Sequence, residues 1–415
     1  MRTYPSLLKV LVLLWCFPCA PFTTLAQKLS EPEVIAAALQ NNQHIKSAER
    51  EVSYYQQLKK TGTDLGKLNA VWMRGQYNTL EQDNNITLTQ SLPFPGTLAA
   101  QVKLGEQHVV GATRNLTAVK NNLVFDVRTT YERLVFLQAM RLLLLSQDSL
   151  YSDFAKAAAL RYKTGESNLL EMTTAETQVQ EIKNTIRLNE ADVFAAQKQL
   201  QVLVKSDVPI GASTQLSKRT LAILADTANL ESSPRIQVAM QQVTINQQLG
   251  RVERSKLLPD FSFGYFNQTL IGYQNTTGTD VYFDKSNRFS GFTIGLQIPV
   301  WFAPQASRAK AASYLEEASR QSADYVRQQV TSEFELALQE LDKNQASLTY
   351  YESSALKNAT LILAQARKAY QAGEIGYVEY LQSLRNALAI RTNYLQALHQ
   401  YNLSVIRVEF ITGNY

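Results

Sequence analysis

Hydrophobic positions along the chain follow two periods, and the switches between them divide the sequence into helices and strands. Long stretches without an internal proline, or with apolar residues every three or four positions, predict helices over about 30–67, 97–164, 168–204, 233–256, 305–372 and from 377 onward. Two stretches, 70–93 and 259–300, instead alternate apolar and polar residues, which predicts β-hairpins. The order helix, hairpin, long helix, turn, helix therefore occurs twice.

Two of the predicted helices carry a seam in which apolar residues are spaced alternately by three and four, as in a coiled coil. The first seam is Val179, Ile182, Ile186, Asn189, Val193, Ala196, Leu200 and Leu203, and the second is Leu381, Leu384, Leu388, Arg391, Leu395, Leu398, Asn402 and Val405. Ser30 and Glu33 form a capping-box pattern at the start of the first helix. Long paired helices are therefore the main feature of the predicted fold.

The residues around the two helix reversals are duplicated. Tyr162, Gly165, Glu166 and Glu171 recur 208 positions later as Tyr370, Gly373, Glu374 and Glu379. The strand ends 87–93 and 293–299 also match, at a displacement of 206. We expect two tandem repeats, 27–204 and 231–415, joined by a linker or equatorial segment at 205–230.

The amino-terminal segment 1–26 has the pattern of a secretory signal peptide, with basic Arg2 and Lys9, an apolar run and small residues before Gln27. Both cysteines, Cys16 and Cys19, lie in it, so we expect a mature chain without a disulfide or a lipid anchor. Removal of this segment lowers the formal charge from +5 to +3, which is too small to suggest a nucleic-acid partner.

The sequence shows no pattern for catalysis or for a bound cofactor. His44, His108 and His399 lie far apart and have no metal-ligand spacing. There is no Ser/His/Asp or Cys/His set and no phosphate-binding glycine loop. We therefore predict a protein that is not an enzyme, and a cell-wall hydrolase, which would need such a site, is disfavoured.

In their order and duplication these features resemble the TolC-like outer-membrane efflux proteins over essentially the whole chain after residue 26. The resemblance is carried by the paired repeats, the Tyr-x-x-Gly-Glu turns, the segment 255–261 entering a strand, and the closing stretch from 369–374 to 411–413. It implies an α+β fold: a trimeric channel-tunnel with a 12-stranded transmembrane β-barrel, four strands per chain, and a long periplasmic coiled-coil barrel. Outer-membrane lipid would surround the strands.

The resemblance also implies a homotrimer that works with a periplasmic adaptor protein and an inner-membrane pump of the RND type, in the outer membrane of a Gram-negative bacterium. The segment 91–96 and the overall size are more similar to the heavy-metal branch than to drug or protein exporters. A multidrug or type I secretion channel is the alternative within the family. An exported coiled-coil scaffold is the alternative outside it.

Two sets of residues are candidates for function by this resemblance. Tyr162, Gly165, Glu166, Tyr370, Gly373 and Glu374 would form the periplasmic tips that contact the adaptor, and Glu171, Glu379 and Gln382 would lie at the periplasmic gate. Elementary chemistry offers a plainer alternative for both glutamates, since each falls three residues after a possible N-cap, Asn168 or Gly376, where a carboxylate stabilises a helix start. In a trimer the same glutamates would form rings that attract cations.

Overall fold

The structure, a computed structural model, describes residues 27–221 and 227–413. The predicted signal peptide at 1–26 and part of the predicted linker, 222–226, lie outside the described residues. Within the described ranges, no helix is long and apolar enough to span a membrane.

The first half of the chain builds two short helices, four strands and two long helices. In order they are β1 (Gln27–Lys28), α1 (Glu31–Asn41), α2 (Gln43–Leu58), a 3-10 turn (Lys59–Thr63), β2 (Asn69–Gly75), β3 (Asp83–Leu92), α3 (Pro95–Lys163), α4 (Leu169–Val204) and β4 (Ile210–Gly211). The single helix predicted over 30–67 is wrong. Asn42 has an extended backbone and its side chain accepts a hydrogen bond from the His44 amide, so one helix ends there and another begins.

The second half repeats this order with two additions. Its elements are a 3-10 turn (Thr227–Ser232), α5 (Pro234–Ser255), β5 (Asp260–Thr269), β6 (Gly272–Thr276), β7 (Thr279–Phe283), β8 (Arg288–Gln297), α6 (Ala303–Tyr350), a π turn (Tyr351–Ala355), α7 (Leu356–Gln371) and α8 (Tyr377–Thr412). The β6–β7 ribbon and the π turn were not predicted. The ribbon lies in a stretch rich in Asn, Thr, Gly and Asp, and the π turn lies in a long stretch without a proline.

One antiparallel sheet combines the strands of both halves in the order β2, β3, β5, β8. Leu88 of β3 lies opposite Tyr265 of β5, and Phe263 of β5 lies opposite Ile294 of β8. The sheet is open in the single chain, so β2 and β8 are its edges. The apolar residues of β8 are exposed, Phe292 by 84 % and Ile294 by 77 %.

The long helices pack in pairs along the predicted seams. All sixteen seam positions are buried or half-buried. One buried cluster joins α1, α3 and α4, a second joins α5, α6 and α8, and a third joins both halves near the helix reversals. At about 1.5 Å per residue, the 69 residues of α3 extend roughly 100 Å.

A cluster of polar side chains fixes the linker segment 212–221 to the helices. We call this cluster the clasp, and its members are Glu31, Glu132, Arg219 and Asn402. The Arg219 guanidinium donates to both carboxylate oxygens of Glu31 and, at 3.2 Å, to Glu132. Asn402 donates to Glu132 at 2.7 Å and accepts from the Arg219 amide at 2.9 Å. The clasp therefore joins four separate parts of the chain.

The clasp also controls the ionisation of Glu132. Burial alone would raise the pKa of this carboxyl, but contacts with His399, Asn402 and Arg219 outweigh burial, so its pKa lies below the ordinary value. Glu132 is thus held as a carboxylate at neutral pH. The linker, in which the sequence indicated no chemistry, carries the arginine that holds it there.

Candidate functional site

The two helix reversals have the same backbone geometry. Gly165 and Gly373 have φ angles of 79° and 76°, in the left-handed region that favours glycine. The amide of Glu166 donates to the Arg161 carbonyl at 2.8 Å, and that of Glu374 donates to the Ala369 carbonyl at 2.9 Å. A Cβ at either glycine would meet no atom within 4 Å, so the backbone conformation, and not space, requires glycine here.

The helices that leave these turns begin with similar contacts. The Asn168 side chain accepts from the Glu171 amide at 3.0 Å, which caps α4. In the second copy the carboxylate of Glu379 accepts from the Gly376 amide at 3.3 Å. Both glutamates therefore lie at a helix start, where the partial positive charge of the helix end stabilises a carboxylate.

Beyond this helix-start contact the two glutamates differ. The side chain of Glu171 is only 6 % exposed, whereas Glu379 is exposed. The Tyr370 hydroxyl donates to Glu171 at 2.8 Å, and the Arg161 guanidinium lies 3.9 Å from the same carboxylate. We call Arg161, Glu171 and Tyr370 the tip cluster. It joins the turn of the first repeat to the turn of the second.

Aromatic side chains of α3 and α8 pack against Tyr370 of the tip cluster. The ring of Tyr370 stacks on that of Tyr380 with centroids 4.6 Å apart, and Phe154 contacts both rings at 5.9 and 5.4 Å. Arg161 lies over the face of Tyr370 at 5.4 Å. Burial, together with the hydrogen bond to Glu171, raises the pKa of Tyr370, so its hydroxyl stays protonated and donates at neutral pH.

The other predicted site residues lie around the tip cluster and are exposed. They are Tyr162, Glu166, Glu374, Glu379 and Gln382. Glu166 lies 4.0 Å from Arg161, and the Gln382 amide donates to Asn386 at 3.3 Å. The structure thus brings Glu171 and Tyr370 into direct contact and leaves Glu379 and Gln382 on the surface. Residues 27–221 and 227–413 contain no group of three side chains arranged to hold a metal ion.

Sequence reasoning missed Arg161, Phe154 and Tyr380 as parts of this site. One signal was available in the duplication itself. The position equivalent to Arg161 in the second repeat is Ala369, so the copies differ in charge beside an otherwise matching turn. Where duplicated segments diverge, a contact between the copies is one explanation.

Comparison with known proteins gives a match in the second half of the chain. Residues 227–414 match the family model described as outer membrane efflux protein. Together with the similar proteins below, this match indicates a protein of the outer membrane of a Gram-negative bacterium, with a large periplasmic part.

Similar proteins include the cobalt-zinc-cadmium resistance protein CzcC of Cupriavidus metallidurans, which is 20% identical over 345 residues, 81% of this chain and 79% of that protein. The crystal structure of CusC matches with a TM-score of 0.76 at 19% identity, covering 97% of this chain and 96% of the other. The CmeC outer membrane channel of Campylobacter jejuni matches with a TM-score of 0.74 at 15% identity, covering 92% and 85%. These structures share the fold of this protein.

Proposed function

We propose that this protein is the outer-membrane channel of a tripartite efflux system and has no catalytic activity. The observation that carries the proposal is the open four-stranded sheet, whose edges β2 and β8 have no partner strand among residues 27–221 and 227–413. Unpaired backbone groups are costly in lipid, at several kcal/mol each, so a sheet in a membrane must close. Three copies would supply 12 strands, which is within the range of transmembrane barrels.

The long helices suit the second part of this proposal, a coiled-coil tunnel that crosses the periplasm. With the strands in the outer membrane, the turns at Gly165 and Gly373 are the farthest points of α3 and α7 from the sheet. Their exposed side chains, Tyr162, Glu166 and Glu374, are then available to a periplasmic adaptor, which would connect the channel to an inner-membrane pump of the RND type. The two tandem repeats, 27–204 and 231–415, would each supply one helical hairpin per chain.

The proposed gate has an inner and an outer part. Glu171 would act through the tip cluster by holding the two hairpins of one chain together. Glu379 and Gln382, which are exposed, would face the lumen, where three copies of Glu379 form a ring that attracts cations. Opening would then require the tip cluster to separate.

We propose heavy-metal cations as the cargo. The support is the similarity to CzcC, a cobalt-zinc-cadmium resistance protein, over 81% of this chain. A multidrug or type I secretion channel is the second candidate, because the fold is shared with outer membrane channels such as CmeC and does not by itself select a cargo. A conduit does not need a strong binding site for its cargo.

Growth of a deletion strain would test the cargo. The strain is grown on graded copper, silver, cobalt, zinc and cadmium, and separately on dyes, bile salts and antibiotics, and is complemented with wild type or Glu379→Ala. We expect the deletion strain to be sensitive to metals alone. Wild type should restore resistance fully and Glu379→Ala only partly. Gln382→Ala, which removes no charge from the same helix, is the comparison variant. Sensitivity to organic compounds alone would reject metals as the cargo.

Single cysteines would test the topology and exclude a scaffold. Since both natural cysteines precede residue 27, Lys285→Cys and Glu166→Cys would each introduce the only thiol of the mature chain. A maleimide carrying a large polymer should label Lys285→Cys on intact cells, but label Glu166→Cys only after the outer membrane is permeabilised. Labelling of both on intact cells would contradict the proposed orientation.

A further inference from the structure

The end of the sheet away from the helices carries a polar cavity of about 800 Å³. It lies between the β2–β3 loop and the connection from β5 to β8, and its polar lining includes Gln76, Glu81, Gln82, Tyr282, Asp284 and Lys285. Because β3 and β8 each lead directly into a long helix at their other ends, this end faces the cell exterior if the proposed function is correct.

A buried carboxylate holds the two walls of the cavity together. Asp83 is fully buried and accepts a hydrogen bond from the Ile271 amide at 2.8 Å and from the Thr269 hydroxyl at 3.1 Å. Its second oxygen accepts from the Thr79 hydroxyl at 2.8 Å. One wall is thus fixed to the other through several bonds to a single side chain, and the cavity has a defined shape.

The β6–β7 ribbon supplies the aromatic wall. Tyr282 is about half exposed and lines the cavity, while its cross-strand partner Tyr273 packs against it edge to face at 5.2 Å and does not line the cavity. Asp284, which follows directly after β7, lines the same cavity. An aromatic ring and a carboxylate of this segment thus line the cavity together with the amides of Gln76 and Gln82 from the β2–β3 side.

These groups fit one class of ligand best. A sugar ring has an apolar C–H face that packs on an aromatic side chain, and vicinal hydroxyls that both donate to and accept from amides and carboxylates. An anionic ligand is disfavoured because Glu81 and Asp284 outnumber Lys285. A metal is disfavoured because the described residues hold no group of three metal ligands. We propose that this cavity binds an oligosaccharide, with Tyr282 as the stacking residue.

Two sources of such sugars exist outside the cell, namely the glycolipid of the outer membrane itself and soluble glycans. Isothermal titration calorimetry on the purified full-length protein would distinguish them, with the neutral, lipid-free outer-core oligosaccharide of lipopolysaccharide as one probe and maltohexaose as the other. The detergent must contain no sugar, because maltoside headgroups would compete. The measurement needs no pump or adaptor, so its result is independent of the efflux assay.

Matched variants make the test specific. Tyr282→Ala and Tyr273→Ala each disrupt the same aromatic pair by removing one of its two rings, but only Tyr282 lines the cavity. We expect Tyr282→Ala to weaken binding by about tenfold or more and Tyr273→Ala by less than about threefold, since a few central side chains carry most of the binding energy. Gln82→Ala, on the opposite wall, should weaken binding by about fivefold through a lost hydrogen bond.

Binding of the core oligosaccharide with this order of effects would support the proposal and identify the membrane glycolipid as the source. Binding of maltohexaose alone, with the same order, would support it with a soluble glycan as the source. Absence of binding by both probes would overturn it. An equal loss in Tyr273→Ala and Tyr282→Ala would also overturn it, because the effect would then come from the ribbon's packing.

Discussion

The contact between Tyr370 and Glu171 is the clearest place to test how the tip opens. Tyr370→Phe removes one hydroxyl and leaves the ring that stacks on Tyr380 in place. The lost interaction is a hydrogen bond to a charged group, which is worth about 1.5–3 kcal/mol. Arg161 still neutralises Glu171 at 3.9 Å, so no carboxylate is left without a partner.

This loss should favour separation of the two hairpins. Since about 1.4 kcal/mol corresponds to a factor of ten, the equilibrium between joined and separated tips should shift by roughly 10- to 150-fold. We expect a higher mean single-channel conductance for the purified variant in planar lipid bilayers. Glu171→Gln should act in the same direction, because the tyrosine then donates to a neutral acceptor.

The duplication supplies a matched control. Tyr162 occupies the equivalent position in the first repeat but is exposed, so Tyr162→Phe should leave conductance unchanged. In a double-mutant cycle, Tyr370→Phe combined with Glu171→Gln should be clearly less than additive, because both changes remove one contact. Wild-type conductance in Tyr370→Phe, or an equal increase in Tyr162→Phe, would refute the role we give to the tip cluster.

Four further predictions concern other features of the molecule. Trp301 is 86 % exposed at the junction of β8 and α6, so we expect it to lie at the membrane interface. In a Trp72→Phe background, its fluorescence in vesicles should be blue-shifted and quenched most by lipids brominated near the headgroup. Absence of quenching would place Trp301 away from the membrane interface. Arg219→Met leaves Glu132 buried without its cation and should cost about 3–5 kcal/mol, measured as earlier thermal unfolding by circular dichroism. Because the pKa of Glu132 is lower in the folded chain than in the unfolded one, its stabilising effect is present at neutral pH and is lost as the pH falls through the ordinary carboxyl pKa and below. The decrease in the free energy of unfolding on acidification should therefore be smaller in Glu132→Gln. Gly373→Val forces a branched residue into the left-handed region at a cost of at least about 1–2 kcal/mol, and it should abolish efflux while the protein remains in the membrane, as judged from resistance and membrane fractionation.

Much of the fold follows from local pattern. The seams and the glycine turns were predictable because each depends on residues close together in sequence, and the α3 boundaries fall within two residues of the prediction. The break at Asn42 was not, because the apolar period continues across it and a side-chain cap interrupts the helix. The β6–β7 ribbon lies inside the predicted hairpin 259–300 and was not predicted, since its Asn, Thr, Gly and Asp residues are typical of turns.

The candidate site was predictable as a location but not as an arrangement. Both glutamates could be placed at helix starts from sequence alone. The contact from Tyr370 to Glu171 spans 199 residues and depends on how two hairpins pack, so no local pattern could indicate it. The pairing of β3 with β5, which joins the repeats in one sheet, is non-local for the same reason.

The π turn at Tyr351–Ala355 explains how two copies of unequal spacing keep equivalent tips. On the amino-terminal side of the π turn, buried positions of α3 and α6 correspond at a displacement of 207 residues, as in Leu123 and Val330, Val127 and Phe334, and Leu134 and Leu341. On its carboxyl-terminal side, buried positions of α3 and α7 correspond at a displacement of 208 residues, as in Tyr151 and Ala359, and Ala158 and Ala366. A π turn accommodates one extra residue within a helix. Without it, that residue would rotate α7 by about 100° and turn Tyr370 away from the first repeat. The copies have therefore drifted in length while the phase of their lower helices has been preserved, and shortening 351–355 by one residue should restore a regular helix without moving the tip.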